Sequence, residues 1–209
     1  MLRLSCPACG AQVPFASRGS VFAVCAYCKA MIVRTDLNLK SIGKQATLKA
    51  DASPIRLGTG GVVDRVPFSV IGRVQVSWED GYWNEWCLNL SDGRTGWLAD
   101  AQGFYLITFP LETPTEIPSA SRLVPGHKLT LAGVDYEVED SRECRVVASE
   151  GELPFTAPHG KAYTSVDLAN GEGRAASFSF SDEGVEIYIG RYFEFDELKL
   201  TQLRQIDGF

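Results

Sequence analysis

The sequence predicts a mainly β chain: a small four-cysteine zinc ribbon followed by an all-β sandwich or barrel-like domain containing two similar β subunits. Three observations predict it. Two Cys-x-x-Cys pairs, Cys6/Cys9 and Cys25/Cys28, stand near the start of the chain. Beyond residue 55, apolar and polar residues alternate in short runs at roughly 8–15-residue spacing, with glycine-containing turns between them. A glycine turn leading to an aromatic-x-valine strand occurs twice, Gly61 with Phe68-x-Val70 and Gly126 with Tyr136-x-Val138, as two subunits packed face to face would produce. The division expected is a ribbon over residues 1–36, a polar linker over 37–54 ending at Pro54, and a β-rich domain over 55–209.

The ribbon rests on its knuckles. In Cys6-Pro-Ala-Cys9-Gly10 and Cys25-Ala-Tyr-Cys28-Lys29, two intervening residues let both sulfurs of a pair reach one metal from a tight turn. Fifteen residues separate Cys9 from Cys25, a spacing suited to a paired four-cysteine site. They read as a hairpin, Val13–Phe15 and Val21–Val24 around Ser17-Arg18-Gly19-Ser20, with Met31–Val33 as a third strand. So short a segment cannot bury a sufficient core, and metal binding would supply folding energy on the order of 10 kcal/mol. Iron and redox chemistry use similar knuckles, but a redox pair usually stands alone at a helix start. One structural zinc ion held by Cys6, Cys9, Cys25 and Cys28 is expected, with no coordination position left open for water.

The β runs follow in order. Phe68–Trp78 precedes the turn Glu79-Asp80-Gly81; Trp83–Leu90 precedes Ser91-Asp92-Gly93-Arg94; Thr95–Ala99 and Gly103–Phe109 come next. Leu129–Leu131 pairs with Val134–Val138 across Gly133, and Glu143–Ser149, Ala162–Leu168, Ala175–Phe180 and Val185–Ile189 complete the set. Phe195–Ile206 carries apolar residues at helical spacing, although a strand also fits there.

Charge is uneven along the chain. Residues 1–50 carry seven Lys/Arg against Asp36 alone, whereas the rest carries thirteen basic and twenty-five acidic side chains. A basic head on an acidic body marks an interaction surface or a head docked on its own body. No apolar run approaches the roughly 20 residues of a membrane span, and Met1–Ser5 offers no apolar leader. A cytoplasmic protein is expected, with peripheral membrane association only through partners. In a reducing compartment the cysteines are thiols or ligands rather than disulfides.

Catalytic machinery is not legible. His127 and His159 sit in Pro-Gly-His and Pro-His-Gly turns, and Cys87 and Cys144 fall within β runs as buried small hydrophobes. Leu57–Gly61 is glycine-rich but lacks the Lys-Ser/Thr ending of a phosphate loop. Glu137, Glu139, Asp140 and Glu143 cluster, as do Glu150 and Glu152; such carboxylates on a strand most often face water. The aromatic stretch Trp78, Tyr82, Trp83, Trp86 and Trp97, flanking Glu85, builds either core or a binding pocket. Trp83, Glu85, Trp86 and Trp97 are the candidate binding residues.

Tyr82-Trp83-Asn84-Glu85-Trp86-x-Leu88 and Gly96-Trp97-Leu98 resemble the signature of a bacterial family, domain of unknown function 4178. So do Glu150-Gly151-Glu152-Leu153-Pro154, Tyr163-x-x-x-Asp167-Leu168 and Glu186-x-Tyr188-x-Gly190. The resemblance covers about residues 55–205 and implies a β-rich fold. It also implies an accessory or adaptor role in envelope stress, through gene neighbourhoods rather than chemistry. The expectation is therefore a non-enzymatic, zinc-containing binding or adaptor protein with a protein partner. The alternatives are a nucleic-acid-binding protein acting through the basic ribbon, and an enzyme of unknown reaction with a cleft in the β domain.

Overall fold

The computed structural model describes residues 2–35, 37–101, 103–112 and 116–205. Its elements are strands, with two single 3₁₀ turns and no α-helix among the described residues.

The N-terminal part is five short strands: β1 (Leu2–Ser5), β2 (Gln12–Phe15), β3 (Phe22–Val24), β4 (Ala30–Thr35) and β5 (Asn38–Lys44). β1 pairs with β2, and β3, β4 and β5 form an antiparallel sheet. The two knuckles are built alike. Cys6 N–H donates to Ala11 O (2.8 Å) and Gly10 N–H to Cys6 O (2.8 Å); Cys25 N–H donates to Ala30 O (2.9 Å) and Lys29 N–H to Cys25 O (3.0 Å). The residue after each second cysteine, Gly10 or Lys29, is left-handed, as a turn this tight requires.

The larger part is a pair of matching five-strand units. The first is β6 (Gly60–Val63), β7 (Val66–Trp78), β8 (Gly81–Leu90), β9 (Thr95–Ala101) and β10 (Phe104–Pro110). The second is β11 (Lys128–Leu131), β12 (Val134–Leu153), β13 (Ala162–Ala169), β14 (Arg174–Ser181) and β15 (Gly184–Phe193). Each opens on a short strand and a two-residue turn with both φ positive: Asp64-Arg65 in one, Ala132-Gly133 in the other. That geometry matches the twist of a tight hairpin. The faint sequence repeat marks these two hairpins.

The units do not stack face to face as expected; they join edge to edge. β10 pairs with β15, and β12 pairs with β7 through Arg145–Gly151, so β7-β8-β9-β10-β15-β14-β13-β12 forms a partly closed, wholly antiparallel ring. Close backbone approach makes the joins possible. Gly151 is left-handed (φ +70°) where β12 crosses β7, and a Cβ there would lie 2.3 Å from the Ile71 carbonyl oxygen. A Cβ on Gly190 would lie 1.8 Å from the Ile107 carbonyl oxygen, across the β10–β15 join.

Two of the apolar cores lie outside the ring. On the first unit, Phe68, Val70, Trp86, Leu88, Leu98 and Ile107 pack under Ile55 and Leu198. On the second, Tyr136, Val138, Val166, Leu168 and Phe178 pack under Leu123 and Leu131. The repeat residues Phe68 and Tyr136 occupy matching places in the two clusters. A third cluster spans both parts of the chain: Phe22 and Val24 of the ribbon pack with Val74, Val76, Val146 and Leu153 of the ring.

Two expectations are corrected. Residues 37–54 are not a free linker: β5 lies within them, and Lys49–Ser53 is fixed to the ring. Gln75 exchanges hydrogen bonds with the Lys49 backbone (2.7 and 3.1 Å), and Asp51 pairs with Arg73 and with Arg204 (2.6 Å). Burial alone pushes the Asp51 carboxyl up, but the Arg204 hydrogen bond and the Arg73 charge outweigh it and hold it below the ordinary carboxylate range. The polar side chains of β5 face solvent, whereas Asp51 and Ser53 belong to an ionic and hydrogen-bonded network against the ring. The C-terminal stretch, which from sequence fits either a helix or a strand, is neither over its described residues. A 3₁₀ turn, Phe195–Leu198, ends at left-handed Lys199, and Thr201 then bridges Gly60. Ile206 lies outside the described residues.

Candidate functional sites: a four-cysteine cluster and a cavity inside the ring

The knuckles bring the four thiols of Cys6, Cys9, Cys25 and Cys28 together, all within 4.8 Å of one another. Cys6 Sγ lies 3.8 Å from Cys28 Sγ, and Cys9 Sγ 3.8 Å from Cys25 Sγ. A tetrahedron with metal–sulfur bonds of about 2.3 Å has sulfur–sulfur edges of about 3.8 Å. The donor set and its geometry fit one metal ion. Glu152 fastens this part to the ring: its carboxylate accepts from Ala16 N–H (2.8 Å) and Ser17 N–H (3.3 Å), while its own strand pairs with β3.

The second site follows from strand parity. Because side chains alternate along a strand, each ring strand has one face toward the outer clusters and one toward the lumen. On β8 the outer face takes Asn84, Trp86 and Leu88, and the lumen takes Trp83, Glu85 and Cys87. On β14 the outer face takes Phe178, and the lumen takes Ala175, Ser177 and Ser179. An eight-stranded ring is just wide enough for side chains to fill or for one small ligand to occupy. Here alanines and serines on β9, β13 and β14 leave a cavity of about 970 Å³. That is near the upper end for small-molecule sites. Phe104, 68% exposed, stands at one end of it, and exposed Glu186 at the other.

The cavity is aromatic and acidic. Trp97 stacks on Phe155 with ring centroids 5.4 Å apart. Trp83 Nε1–H donates to Glu85 Oε1 (2.7 Å). Burial drives the Glu85 carboxyl up to about 7, against the Trp83 hydrogen bond and with help from the Asp167 and Asp100 charges. Burial likewise raises Asp167, and it raises the phenols of Tyr163 and Tyr188 above their ordinary value. Arg142 pairs with Asp140 and, at 3.5 Å, with Asp167, and its guanidinium lies 4.4 Å from the Trp78 ring centroid.

Of the four candidate binding residues, Trp83, Glu85 and Trp97 converge on the cavity. Trp86 does not. It is 1% exposed on the outer face, donating to Asp100 (3.1 Å) beneath the Arg73 guanidinium. Cys87 and Cys144 are fully buried, and burial pushes both thiols up to about 12, as inert core thiols should be. His159 Nδ1–H donates to the Val147 carbonyl (2.7 Å), and neither histidine lines the cavity. Tyr163, Asp167, Glu186, Tyr188 and Arg142 were not read as site residues. The signal was present in their alternation, but a polar face on a strand reads as solvent-facing until ring closure turns it inward.

Comparison with curated proteins and with solved structures finds no match. A family model described as domain of unknown function (DUF4178) matches residues 56–195, two thirds of the chain and the whole of the ring. The chain therefore belongs to the DUF4178 family, here preceded by a four-cysteine cluster consistent with a zinc ribbon.

Proposed function

We propose that this protein is a non-enzymatic binding protein that holds a small organic molecule inside its DUF4178 ring, with one structural zinc in the ribbon. One observation carries the reading. The motif residues Trp83, Glu85, Trp97, Tyr163, Asp167, Glu186 and Tyr188, drawn from four strands, all line one cavity. Trp86, Leu88 and Leu98 of the same motifs pack in the outer apolar cluster, so the motifs divide between the core and the cavity. Zinc is the metal proposed, because four thiolates at tetrahedral spacing leave no open position and suit a structural ion.

The test is native mass spectrometry of protein purified gently from its own cells, beside Ser177→Phe, which narrows the cavity. One equivalent of a small molecule should accompany the wild type and be missing from the variant. Wild type carrying none, or both proteins carrying it equally, would contradict the reading.

A protein partner is kept as a second reading, because the ribbon presents apolar side chains to solvent: Tyr27, in the second knuckle, is 82% exposed and Leu37 71%. A partner whose binding is lost in Tyr27→Ala would support an adaptor role. Retention of nucleic acid that weakens steeply with salt would favour the basic ribbon as a nucleic-acid surface.

A further inference from the structure

We infer that the ligand of the ring cavity is an amphipathic organic cation, an amine or quaternary ammonium on an apolar body, whose charged head is received by Glu85 among aromatic rings. The inference rests on the cavity reading above and narrows it.

Charge balance is the first ground. The cavity lining holds seven carboxylates against two cations, Arg142 and Lys161; four of the seven, Glu139, Glu186, Glu194 and Glu197, are exposed, and Glu85, Asp140 and Asp167 are the part-buried ones. Both cations are already engaged, Arg142 with Asp140 and Asp167, Lys161 with Glu183 at 2.7 Å. Glu85 has no cationic partner among the described residues; its one hydrogen-bond donor is the Trp83 indole. A carboxylate enclosed by protein without a counter-charge destabilises the fold, and in a cavity such a group marks a site where a ligand can supply the missing charge.

The surroundings are the second ground. Trp83, Trp97, Tyr163 and Tyr188 line the same cavity, and the charge of Glu85 is felt by both phenols. Aromatic faces attract a desolvated cation, and rings beside a carboxylate are the usual receptor for alkylammonium groups. The protein already uses this chemistry once: Arg142 lies between two carboxylates, with its guanidinium 4.4 Å from the Trp78 centroid and 5.9 Å from that of Trp83. The Glu85 seat is the same arrangement without a cation of its own. The rest of the wall includes Val74, Val76, Leu106, Val146 and Phe155, which suits an apolar body.

The test uses the full-length, metal-loaded protein and four ten-carbon probes below their micelle-forming concentrations: decyltrimethylammonium, decylammonium, decanol and decanoate. Binding is followed by indole fluorescence and calorimetry at pH 7.5. Either cation should bind at least tenfold more tightly than decanol, with decanoate weakest. Glu85→Gln should abolish that preference while leaving decanol binding unchanged; Glu172→Gln, on the exposed β13–β14 turn, should bind as wild type does. Decanol or decanoate binding as tightly as the cations, or a preference that survives Glu85→Gln, would overturn the cation assignment but leave the cavity as a binding site. Binding of none of the four probes would overturn both.

Discussion

Replacing Phe22 by alanine separates two accounts of how this protein holds together. From sequence, the ribbon and the β domain should fold independently, so that Cys9→Ser unfolds the ribbon alone. The structure gives them a shared core. Phe22 is fully buried in the cluster that includes Val74, Val76, Val146 and Leu153, and its strand continues the ring sheet through Leu153. Truncating a fully buried phenylalanine costs about 3–5 kcal/mol, because transfer and cavity terms add. In a chain of this size each kcal/mol moves the melting temperature by roughly 2–4 °C, so a fall on the order of 10 °C is expected. The assay follows two signals in one thermal melt. All four tryptophans lie between residues 78 and 97, so indole fluorescence reports the ring alone, while a chromogenic chelator reports metal release from the ribbon. Both signals should move together in Phe22→Ala. Metal release at a lower temperature with the indole transition within 2 °C of wild type would refute the shared core.

Other expectations follow from single contacts. Glu152→Ala removes the carboxylate that accepts from Ala16 and Ser17 N–H, and should destabilise the protein by about 1.5–3 kcal/mol in denaturant melts. Gly190→Ala places a Cβ against the Ile107 carbonyl and should cost about 3 kcal/mol or more, by the same measurement. Glu85 sets a pH dependence. Its folded value of about 7 lies above its ordinary 4.5, so its contribution to stability is full below about pH 4.5 and is lost as pH rises through 7. That range corresponds to at most about 3 kcal/mol, and solvent in the cavity reduces it to roughly 1–2 kcal/mol. Asp100 and Asp167 are raised as well and titrate in the same sense, whereas Asp51 is lowered and acts oppositely in strong acid. The difference between wild type and Glu85→Gln, melted from pH 5 to pH 8, isolates the Glu85 part. The variant should be the more stable protein at pH 8.

Much of the fold was legible because it is local. The cysteine spacing encodes the knuckles, and the turns at Ser91–Arg94 and Asp182–Gly184 mark hairpins. The recurrence of Phe68-x-Val70 and Tyr136-x-Val138 marks two similar units. Closure was not legible. Pairing of β7 with β12, and of β10 with β15, joins strands some 70–90 residues apart, and no local pattern encodes such register. The site was obscured for the same reason. Alternation along Tyr163-x-Ser165-x-Asp167 and Glu186-x-Tyr188 separates two faces of a strand but does not say which is inside. An apolar strand face ordinarily marks the interior, whereas here it faces outward beneath covering segments and the polar face lines the lumen. Trp86 was misplaced by one step of that parity.

Adjacent residues on β14 allow a direct test of the claim that the ring interior is an open binding cavity. Ser177 lines the cavity, while Phe178 is buried in the outer apolar cluster. Thermal melting of Ser177→Phe and Phe178→Trp compares the two faces with one added ring. Overpacking a filled core costs roughly 1–3 kcal/mol, whereas a side chain entering open space costs little. The account predicts that Ser177→Phe melts within about 2 °C of wild type while Phe178→Trp falls clearly below it. Equal losses in the two variants would mean that the lumen is packed and would contradict the account.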